Sequence, residues 1–388
     1  MRRNFLPIVG LLSLFVLGAC SAERDPKIAS LKHALEVADS QLLDAAAELD
    51  TTNCFPRSLM PKFRAVDAKD WTSGFFPGSL WQCYRFTGDE KLLAEAEKYT
   101  DRLEGIQYYK GTHDLGFMVF CSFGQQMQTL HDRHSEEVIV EAAKSLVSRC
   151  DPRIGLIRSW DFGEWNYPVI IDNMMNLEML FWASKHTGDP VYRDVAVRHA
   201  DITMQNHFRD DASSFHVVSY NDDGTVESRG TFQGYSDSSA WARGQAWGLY
   251  GYTMCYRETG DARYLARAVK SAEYILNHPN LPKDGVPYWD FDRPGEERDA
   301  SAGAVIASGL LELSEYVPRE QSRRYVRAAR RILRSLSSDR YLNAAGSAHG
   351  FLLSHSVGHK PKGSQVDVPI IYADYYFLEA LLRYRQLD

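Results

Sequence analysis

The sequence predicts an all-α protein, an (α/α)6 barrel built from six helical hairpins, and three observations support this fold class. About twelve stretches of the chain have apolar residues at the spacing of a helix. These stretches alternate between largely apolar and amphipathic sequences, as expected when outer helices cover inner ones. The tripeptide Thr-Gly-Asp recurs at Thr87, Thr187 and Thr259, each time between two such stretches. No Pro-rich, Gly-rich or Ser-rich linker divides the chain, so we expect one domain.

The twelve predicted helices begin near residues 26, 74, 90, 115, 135, 172, 190, 239, 261, 302, 319 and 370. Those with even numbers are apolar or small on most faces, which is typical of buried helices, and the others are amphipathic. We therefore expect six inner helices inside six outer ones. The longer loops all precede inner helices, and they are residues 53–73, 151–171, 207–238, 279–301 and 337–369. They are expected to gather where the inner helices begin, at their N-terminal end, and to carry the active site.

Each Thr-Gly-Asp tripeptide is typical of the turn of a helical hairpin. Gly88, Gly188 and Gly260 can adopt the positive φ that ends a helix. The aspartate after each glycine can accept hydrogen bonds from the first turn of the next helix. Weaker copies of the hairpin occur near Asp132 and Leu310. Such self-similarity indicates a repeat architecture.

The N-terminus has the order of a secretory signal: Arg2 and Arg3, an apolar run, and then Leu-Gly-Ala before Cys20. This ending resembles a bacterial lipobox. We expect residues 1–19 to be a lipoprotein signal peptide, residues 20–28 a tether lipidated on Cys20, and residues 29–388 one catalytic domain. The alternative is an ordinary signal with a coincidental cysteine. Contact with the membrane is then through the anchor only, and Ser21 favours the outer membrane of a bacterial envelope.

The composition of the chain restricts the classes of partner and cofactor that it is expected to bind. Without Arg2 and Arg3, 42 basic residues remain against 51 acidic ones, a formal charge of −9. This balance argues against nucleic acid as a partner. The twelve histidines contain no HExxH motif, and His131 with His134 is interpreted as an exposed helix pair rather than a metal site. No metal and no cofactor is predicted, and the protein is expected to be a monomer or a weak oligomer.

Two aspartates open apolar inner helices, Asp114 in HDLGF and Asp172 in DNMMN. Because both helices begin at the same end of the predicted barrel, the two carboxylates can form an acid/base pair. The residues alone leave a plain alternative, since Asp is among the commonest N-terminal caps. The loops at that end are rich in Trp and Tyr, which either stack on sugar rings or cover the core.

Five sequence blocks occur in an order that is similar to the unsaturated glucuronyl hydrolases, glycoside hydrolase family 88. They are WTSGFFPGSLW from Trp71, HDLGF from His113, DNMMNLEML from Asp172, SAWARGQAWGLY from Ser239, and the closing YADYYFLEALLR. The resemblance extends from about residue 30 to the end of the chain. It implies an (α/α)6 barrel that acts on lyase-generated oligosaccharides, with glycosaminoglycan fragments as the expected class. These fragments end in a uronate with a C4=C5 double bond.

The resemblance implies an unusual first step for a glycosidase. An acid protonates C4, water adds at C5, and the resulting hemiketal opens and releases the rest of the sugar. Asp172 matches the general acid and base, and Asp114 matches a second carboxylate that holds the uronate hydroxyls. Asp172 must then carry a proton. Burial and the charge of Asp114 would raise its pKa, whereas a helix N-terminus would lower it, and the sequence leaves the balance open.

Further substrate-binding residues are implied by the same resemblance: Trp71, His113, His216, Gln233, Trp241, Arg243, Lys360, Lys362 and Ser364. Trp71 fits a stacking position and His216 a place near the reactive carbon. Arg243 is the candidate for the uronate carboxylate, because a guanidinium matches a carboxylate with two parallel hydrogen bonds. The alternative for Arg243 is an ion pair with a loop aspartate such as Asp237.

The segment SHSVGHKPKGS, from Ser354 to Ser364, supplies His355, His359 and the two lysines. The resemblance implies that it touches the sugar beyond the scissile bond and can favour sulfate. The alternative is a solubilising charged loop. Just after this segment the family pattern carries Trp-Gly where this chain has Tyr372-Ala373, which leaves the far wall of the pocket open.

Two other functions remain open at this point. One is an unsaturated rhamnogalacturonyl hydrolase acting on pectin fragments, against which the DNMMN and HDLGF blocks argue. The other is a non-catalytic glycan-binding lipoprotein, which would need the aromatic residues but no protonatable carboxyl. The fold alone cannot separate them, because function lies in the site.

Overall fold

The computed structural model describes residues 26–387 as a single helical barrel. The proposed signal peptide and Cys20 lie outside this range. Twelve α-helices are present in it: α1 Pro26–Glu48, α2 Phe75–Thr87, α3 Glu90–Asp101, α4 Phe123–Leu130, α5 Arg133–Val147, α6 Leu177–Thr187, α7 Pro190–Asn206, α8 Ala242–Thr259, α9 Ala262–Asn277, α10 Ala300–Leu313, α11 Arg319–Leu336 and α12 Ile371–Arg385. The predicted (α/α)6 barrel is confirmed.

The even-numbered helices form the inner ring. Helix α10 packs between α8 and α12, α12 packs against α2, and α2 packs against α4. Every residue of α10, Ala300–Leu313, is buried. The outer helices bury one face only, as α9 does with Tyr264, Ala268 and Ile275. This division is the one that the alternating apolar and amphipathic sequences predict.

The predicted hairpin turns are also present. Gly88, Gly188 and Gly260 end α2, α6 and α8 with φ angles of 70°, 75° and 70°. This left-handed conformation is one that glycine adopts without a steric penalty. The side chains of the next residues, Asp89, Asp189 and Asp261, accept hydrogen bonds from the first turns of α3, α7 and α9.

The loops before the inner helices contain short antiparallel strands that the sequence did not predict. They are β1 Phe55–Leu59, β2 Phe63–Val66, β3 Cys150–Asp151, β4 Leu156–Ile157, β5 Pro168–Ile170, β6 Val217–Tyr220, β7 Val226–Gly230, β8 Ser356–His359 and β9 Ser364–Val368. Strands β5, β6 and β7 form one sheet, and the others pair two by two. Strands of two to five residues are too short for a periodic pattern to identify.

Two inner helices begin irregularly. A π-helical turn, Gly116–Phe120, precedes α4, and a 3₁₀ turn, Ile171–Asn176, precedes α6. Asn176 ties the two together, because its Oδ1 accepts a hydrogen bond from the Phe117 N–H at 3.1 Å. A Cβ at Gly116 would lie 2.6 Å from the Asn176 Cα, so the turns pack backbone to backbone. Asp172 of DNMMN lies in the second of these turns, and Asp114 of HDLGF lies two residues before the first.

Among residues 26–387, none of the helices combines the length and the apolar character needed to cross a bilayer.

Candidate active site

A cavity of about 550 Å³ opens at the end of the barrel where the inner helices begin. This volume lies in the usual range for sites that bind small molecules. The predicted site residues that line it are Trp71, His113, Asp114, Asp172, Gln233, Arg243, Lys362 and Ser364. His216 and Trp241 are buried behind the wall, with their rings 4.5 Å apart. One barrel end therefore collects ten of the eleven predicted site residues of the folded domain.

Asp172 lies in the 3₁₀ turn before α6 and is 8% exposed. No side chain caps this turn or the turn beside Asp114, so neither aspartate is an ordinary helix cap. The Oδ2 of Asp172 has no hydrogen-bond partner among the described residues. Burial raises the pKa of Asp172 to about 7, although the charge of Arg243 lowers it; the charge of Asp114 adds to the rise. The carboxyl group therefore keeps its proton until close to neutral pH.

His216 supports this protonation state. Its Nδ1 accepts hydrogen bonds from the backbone N–H groups of Phe232 and Gln233, at 3.0 and 3.1 Å. Burial, followed by the charge of Arg243, holds the pKa of His216 well below its usual value. A neutral ring that accepts at Nδ1 carries its proton on Nε2, by assignment from these hydrogen bonds. That nitrogen lies 3.7 Å from Oδ2 of Asp172, so the acid faces a neutral donor rather than a cation.

Asp114 has different surroundings. Its Oδ2 accepts a hydrogen bond of 2.5 Å from Thr112 Oγ1, and its Oδ1 lies 3.2 Å from His113 Nε2. Burial lowers the pKa of His113, which favours a neutral ring. The Thr112 hydroxyl thus donates to the Asp114 carboxylate and the His113 ring lies beside it, whereas Oδ2 of Asp172 has no donor among the described residues. Thr112, one residue before the predicted block, is a site residue that the sequence analysis missed.

The structure identifies the partners of Arg243 within the protein. Its Nη1 donates to Asp299 at 3.1 Å and to the Val357 carbonyl, and its Nη2 donates to the Gly358 carbonyl at 2.8 Å. The ion-pair partner is Asp299 rather than Asp237, whose carboxylate accepts from the Thr231 N–H. Both hydrogens of Nη1 are therefore used, whereas Nε has no hydrogen-bond partner among the described residues. Arg243 lines the cavity, and its contact with a uronate carboxylate stays a prediction.

Arg243 also anchors the β8–β9 hairpin. Its guanidinium carbon lies 4.5 Å from the ring centre of Trp241 and 5.1 Å from that of Tyr372. The Nε2 of Gln233 donates to the same Gly358 carbonyl at 2.9 Å. Two predicted substrate-binding residues thus hold the hairpin that carries Lys362 into the cavity wall.

Lys360 is the predicted site residue that the structure places elsewhere. Its Nζ forms ion pairs with Glu296, at 2.7 Å, and with Glu297. Lys362 lines the cavity, with its Nζ 4.2 Å from the ring centre of Phe232. Residues 360–362 form a 3₁₀ turn, so the two lysines leave the backbone in different directions. Of the two lysines, Lys362 therefore lines the cavity and Lys360 does not.

Aromatic rings and cations complete the wall. Trp71 packs against Tyr372 at 5.1 Å and 30°, which fills the wall where the family pattern differs. Five further residues that the sequence did not predict line the cavity, and they are Arg57, Lys69, Tyr109, Phe162 and Phe232. Their only signal was their place in or near loops that precede inner helices. No three His, Cys, Asp or Glu side chains among residues 26–387 converge as a metal site would require.

The barrel and its pocket define the class of protein. Aromatic faces suit sugar rings, and a buried carboxyl that keeps its proton near neutral pH suits acid catalysis. These properties are those of a carbohydrate-active hydrolase. The family model described as Glycosyl Hydrolase Family 88 matches residues 47–377, so the chain belongs to that family. The resemblance inferred from the five sequence blocks is thereby confirmed.

Individual relatives agree with this assignment. An unsaturated glucuronyl hydrolase of Formosa agariphila is 46% identical over 345 residues, which are 86% of each chain. A crystal structure of an unsaturated glucuronyl hydrolase specific for heparin superposes with a TM-score of 0.90 at 48% identity, covering 92% of this chain and 98% of that one. A Streptococcus agalactiae enzyme with one aspartate replaced by asparagine, complexed with dGlcA-GalNAc6S, gives 0.78 at 33% identity and 93% coverage of both chains.

Proposed function

We propose that this protein is an unsaturated glucuronyl hydrolase that removes the Δ4,5-unsaturated uronate from the non-reducing end of lyase-generated glycosaminoglycan oligosaccharides. The observation that carries the proposal is the unpaired, buried carboxyl of Asp172, whose pKa is raised to about 7. An acid that is still protonated near neutral pH is what proton donation to carbon requires. Family membership and relatives that bear this activity in their names support the proposal.

In the proposed reaction, Asp172 donates its proton to C4 and positive charge develops at C5 and the ring oxygen. The Asp172 carboxylate then accepts a proton from a water molecule as its oxygen bonds to C5. The product is a hemiketal, which opens and releases the rest of the oligosaccharide. Asp172 ends the cycle protonated, so the net reaction adds one water molecule. His216 presents a neutral N–H toward the carboxyl and leaves it free to cycle between both states.

Asp114 is proposed to bind the uronate hydroxyls. It lines the cavity and retains partial exposure, and the hydrogen bond that its carboxylate accepts from Thr112 orients it. Because its charge raises the pKa of Asp172, it also helps to keep the acid protonated. Trp71 offers a ring face for stacking on the sugar.

Lys362 and Ser364 are proposed to contact the second sugar and to favour sulfate there. Both line the cavity on the β8–β9 hairpin, and Lys362 forms no ion pair with another described residue. A free ammonium group near a bound sugar attracts an anionic substituent. One relative is described as specific for heparin and another was solved with a sulfated disaccharide, which supports this class of substrate.

A lipid anchor on Cys20 is proposed to hold the enzyme at the bacterial cell envelope, in the outer membrane. The lipobox-like Leu-Gly-Ala-Cys sequence and Ser21 support this placement. Substitution Cys20→Ala is expected to move the protein from the membrane fraction to the soluble fraction. Equal distribution of both proteins would refute the anchor.

The decisive experiment follows the double bond. The purified enzyme is incubated with unsaturated disaccharides from heparin, chondroitin, hyaluronan and pectin while the ultraviolet absorbance of the conjugated double bond is recorded. Loss of absorbance with glycosaminoglycan disaccharides is expected. Loss with the pectin fragment alone would identify a rhamnogalacturonyl hydrolase, and loss with none would exclude the proposed reaction. In heavy water, deuterium should appear at C4 of the product.

A further inference from the structure

Helix α11, Arg319–Leu336, has a charge distribution that neither the barrel nor the reaction explains. It contains seven arginines and a single acidic residue, Glu320, in a protein whose formal charge is −7. Arg324 pairs with Glu273 of helix α9. The remaining arginines form no ion pair with any described residue, and they are Arg319, Arg323, Arg327, Arg330, Arg331 and Arg334.

Five of these arginines form one stripe. At 100° per residue, Arg319, Arg323, Arg327, Arg330 and Arg334 fall within an arc of about 80° and extend over about 22 Å of helix. All of them are exposed or half-exposed. The apolar side of the helix faces the opposite way and is buried in the core. The arginine stripe thus faces solvent along the full length of the helix.

The stripe opposes the stability of its own helix. Like charges four residues apart, such as Arg323 and Arg327, repel each other. Cations in the first turn, such as Arg319, also oppose the positive end of the helix dipole. Neutral polar residues would serve solubility without this cost. A costly and uncompensated charge row indicates a surface that meets negative charge on a partner.

We infer that the arginine stripe of α11 is a docking surface for an unbranched sulfated polysaccharide chain, separate from the catalytic cavity. A guanidinium group forms two parallel hydrogen bonds with an oxyanion such as sulfate. A straight row of arginines can make this contact repeatedly with the sulfates along a linear chain. The choice of this polyanion rests on the proposed function, because lyases cut the substrate from such chains. The stripe would hold the enzyme on the polymer that supplies its substrate.

Two features favour a polysaccharide over a membrane. A helix that lies on a bilayer inserts an apolar face, but the apolar residues of α11, such as Tyr325, Ala329 and Leu333, are buried in the barrel. The helix also leads into the segment that carries β8 and β9 at the cavity. Arg334 is therefore at the cavity end of the stripe, and a chain lying on the stripe would point toward the active site.

The test compares two charge-matched triple variants of the full-length protein. The stripe variant carries Arg323→Gln, Arg327→Gln and Arg334→Gln. The control carries Lys91→Gln, Arg193→Gln and Lys270→Gln, which remove exposed cations from outer helices α3, α7 and α9 where no described residue pairs with them. Binding to soluble heparin chains is measured at several salt concentrations, and turnover of an unsaturated disaccharide is measured in the same preparations.

The stripe variant is expected to bind heparin chains roughly tenfold more weakly than the wild type, the loss expected from three exposed ion pairs. The control should bind as the wild type does, and all three proteins should turn over the disaccharide equally. Equal loss in the control, or no binding by the wild type, would overturn the inference.

Two further probes test the class of partner. Vesicles with anionic lipids and duplex DNA are compared with heparin for the same variants. If the stripe variant, but not the control, lost binding to vesicles or DNA as strongly as it loses binding to heparin, the polysaccharide assignment would be overturned. Turnover without chain binding refutes the stripe alone, whereas chain binding without turnover refutes only the proposed function.

Discussion

The two ends of the barrel both hold buried carboxylates, but they use them differently. A cavity of about 770 Å³ opens where the inner helices end, and it is larger than the candidate active site of about 550 Å³. The carboxylates of the larger cavity and its floor are Glu178, Glu258, Glu312 and Glu379, and each forms an ion pair. At the smaller cavity Asp172 lies 3.7 Å from a neutral histidine instead. Cavity size therefore does not identify the reactive end.

Two buried acids, one at each end of the barrel, show why cavity size is a poor guide. Burial by itself would raise the pKa of Glu312, but the charges of Arg383 and Arg257 outweigh it and the pKa is lowered. Burial also acts on Asp172, and there Arg243 offsets only part of the rise. The guanidinium of Arg243 donates to Asp299 and to two carbonyl groups, so these partners already balance much of its positive charge. A buried acid stays protonated when the nearest cation is neutralised by another partner.

Helix dipoles account for the cations around the larger cavity, where the inner helices end. Arg85, Lys185, Arg257 and Arg383 lie in the last turns of inner helices α2, α6, α8 and α12. Positive side chains there complement the negative end of each helix. The charged network of the larger cavity is therefore explained by the architecture, whereas the proton on Asp172 is not.

The largest expected effect is a loss of turnover on substitution at the smaller cavity but not at the larger one. Asp172→Asn keeps the shape of the side chain but cannot donate the proton, so turnover should fall by about 10²–10⁴-fold, the usual contribution of a general acid. Binding of the unsaturated disaccharide, measured by calorimetry, should persist. Glu312→Gln is the control, because it neutralises an equally buried acid at the other end. Near-normal turnover in Asp172→Asn would remove Asp172 from the mechanism.

A substitution at the larger cavity should lower the free energy of unfolding without lowering turnover. Glu312→Gln removes the carboxylate that Arg257 and Arg383 share. Both arginines keep other carboxylate partners, so the expected loss is about 1–3 kcal/mol, the usual cost of losing one partner of a buried polar group. Urea unfolding at pH 7 measures the loss. The folded fraction should keep its wild-type turnover, since this end takes no part in the reaction. Unchanged stability would mean that the network is solvated rather than buried.

The helical framework was predictable because its signals are local and repeated. Gly88 with Asp89 and their two repeats mark hairpin turns, and the alternating helices separate core from surface. Side-chain contacts were less predictable than helices. Lys360 and Lys362 lie in the same short loop, yet Lys360 contacts Glu296 whereas Lys362 lines the cavity. Arg243 is a second example, because its partners, the Gly358 carbonyl among them, are 56 to 115 residues away in sequence. Long-range partners of this kind leave no local pattern.

The pH dependence of activity and stability at the catalytic end provides a third test. Turnover should fall as pH rises through about 7, because Asp172 loses the proton that it donates. The folded state keeps this proton to about pH 7, whereas an unfolded aspartate releases it near pH 3.8, so Asp172 costs stability increasingly as pH rises between these values. Asp172→Asn should therefore be more stable than the wild type at pH 8, by at most about 4 kcal/mol. At pH 4 the two stabilities should nearly agree.

The smallest expected effect lies within the β8–β9 hairpin. Lys362→Met should raise the KM for a sulfated unsaturated disaccharide by about two- to fivefold, the contribution of one exposed charge pair. Its KM for the unsulfated disaccharide should not change. Lys360→Met is the matched control, since that ammonium is paired with Glu296 and Glu297 outside the cavity. If Lys360→Met raised the KM for the sulfated sugar as much, general charge rather than a directed contact would account for the preference.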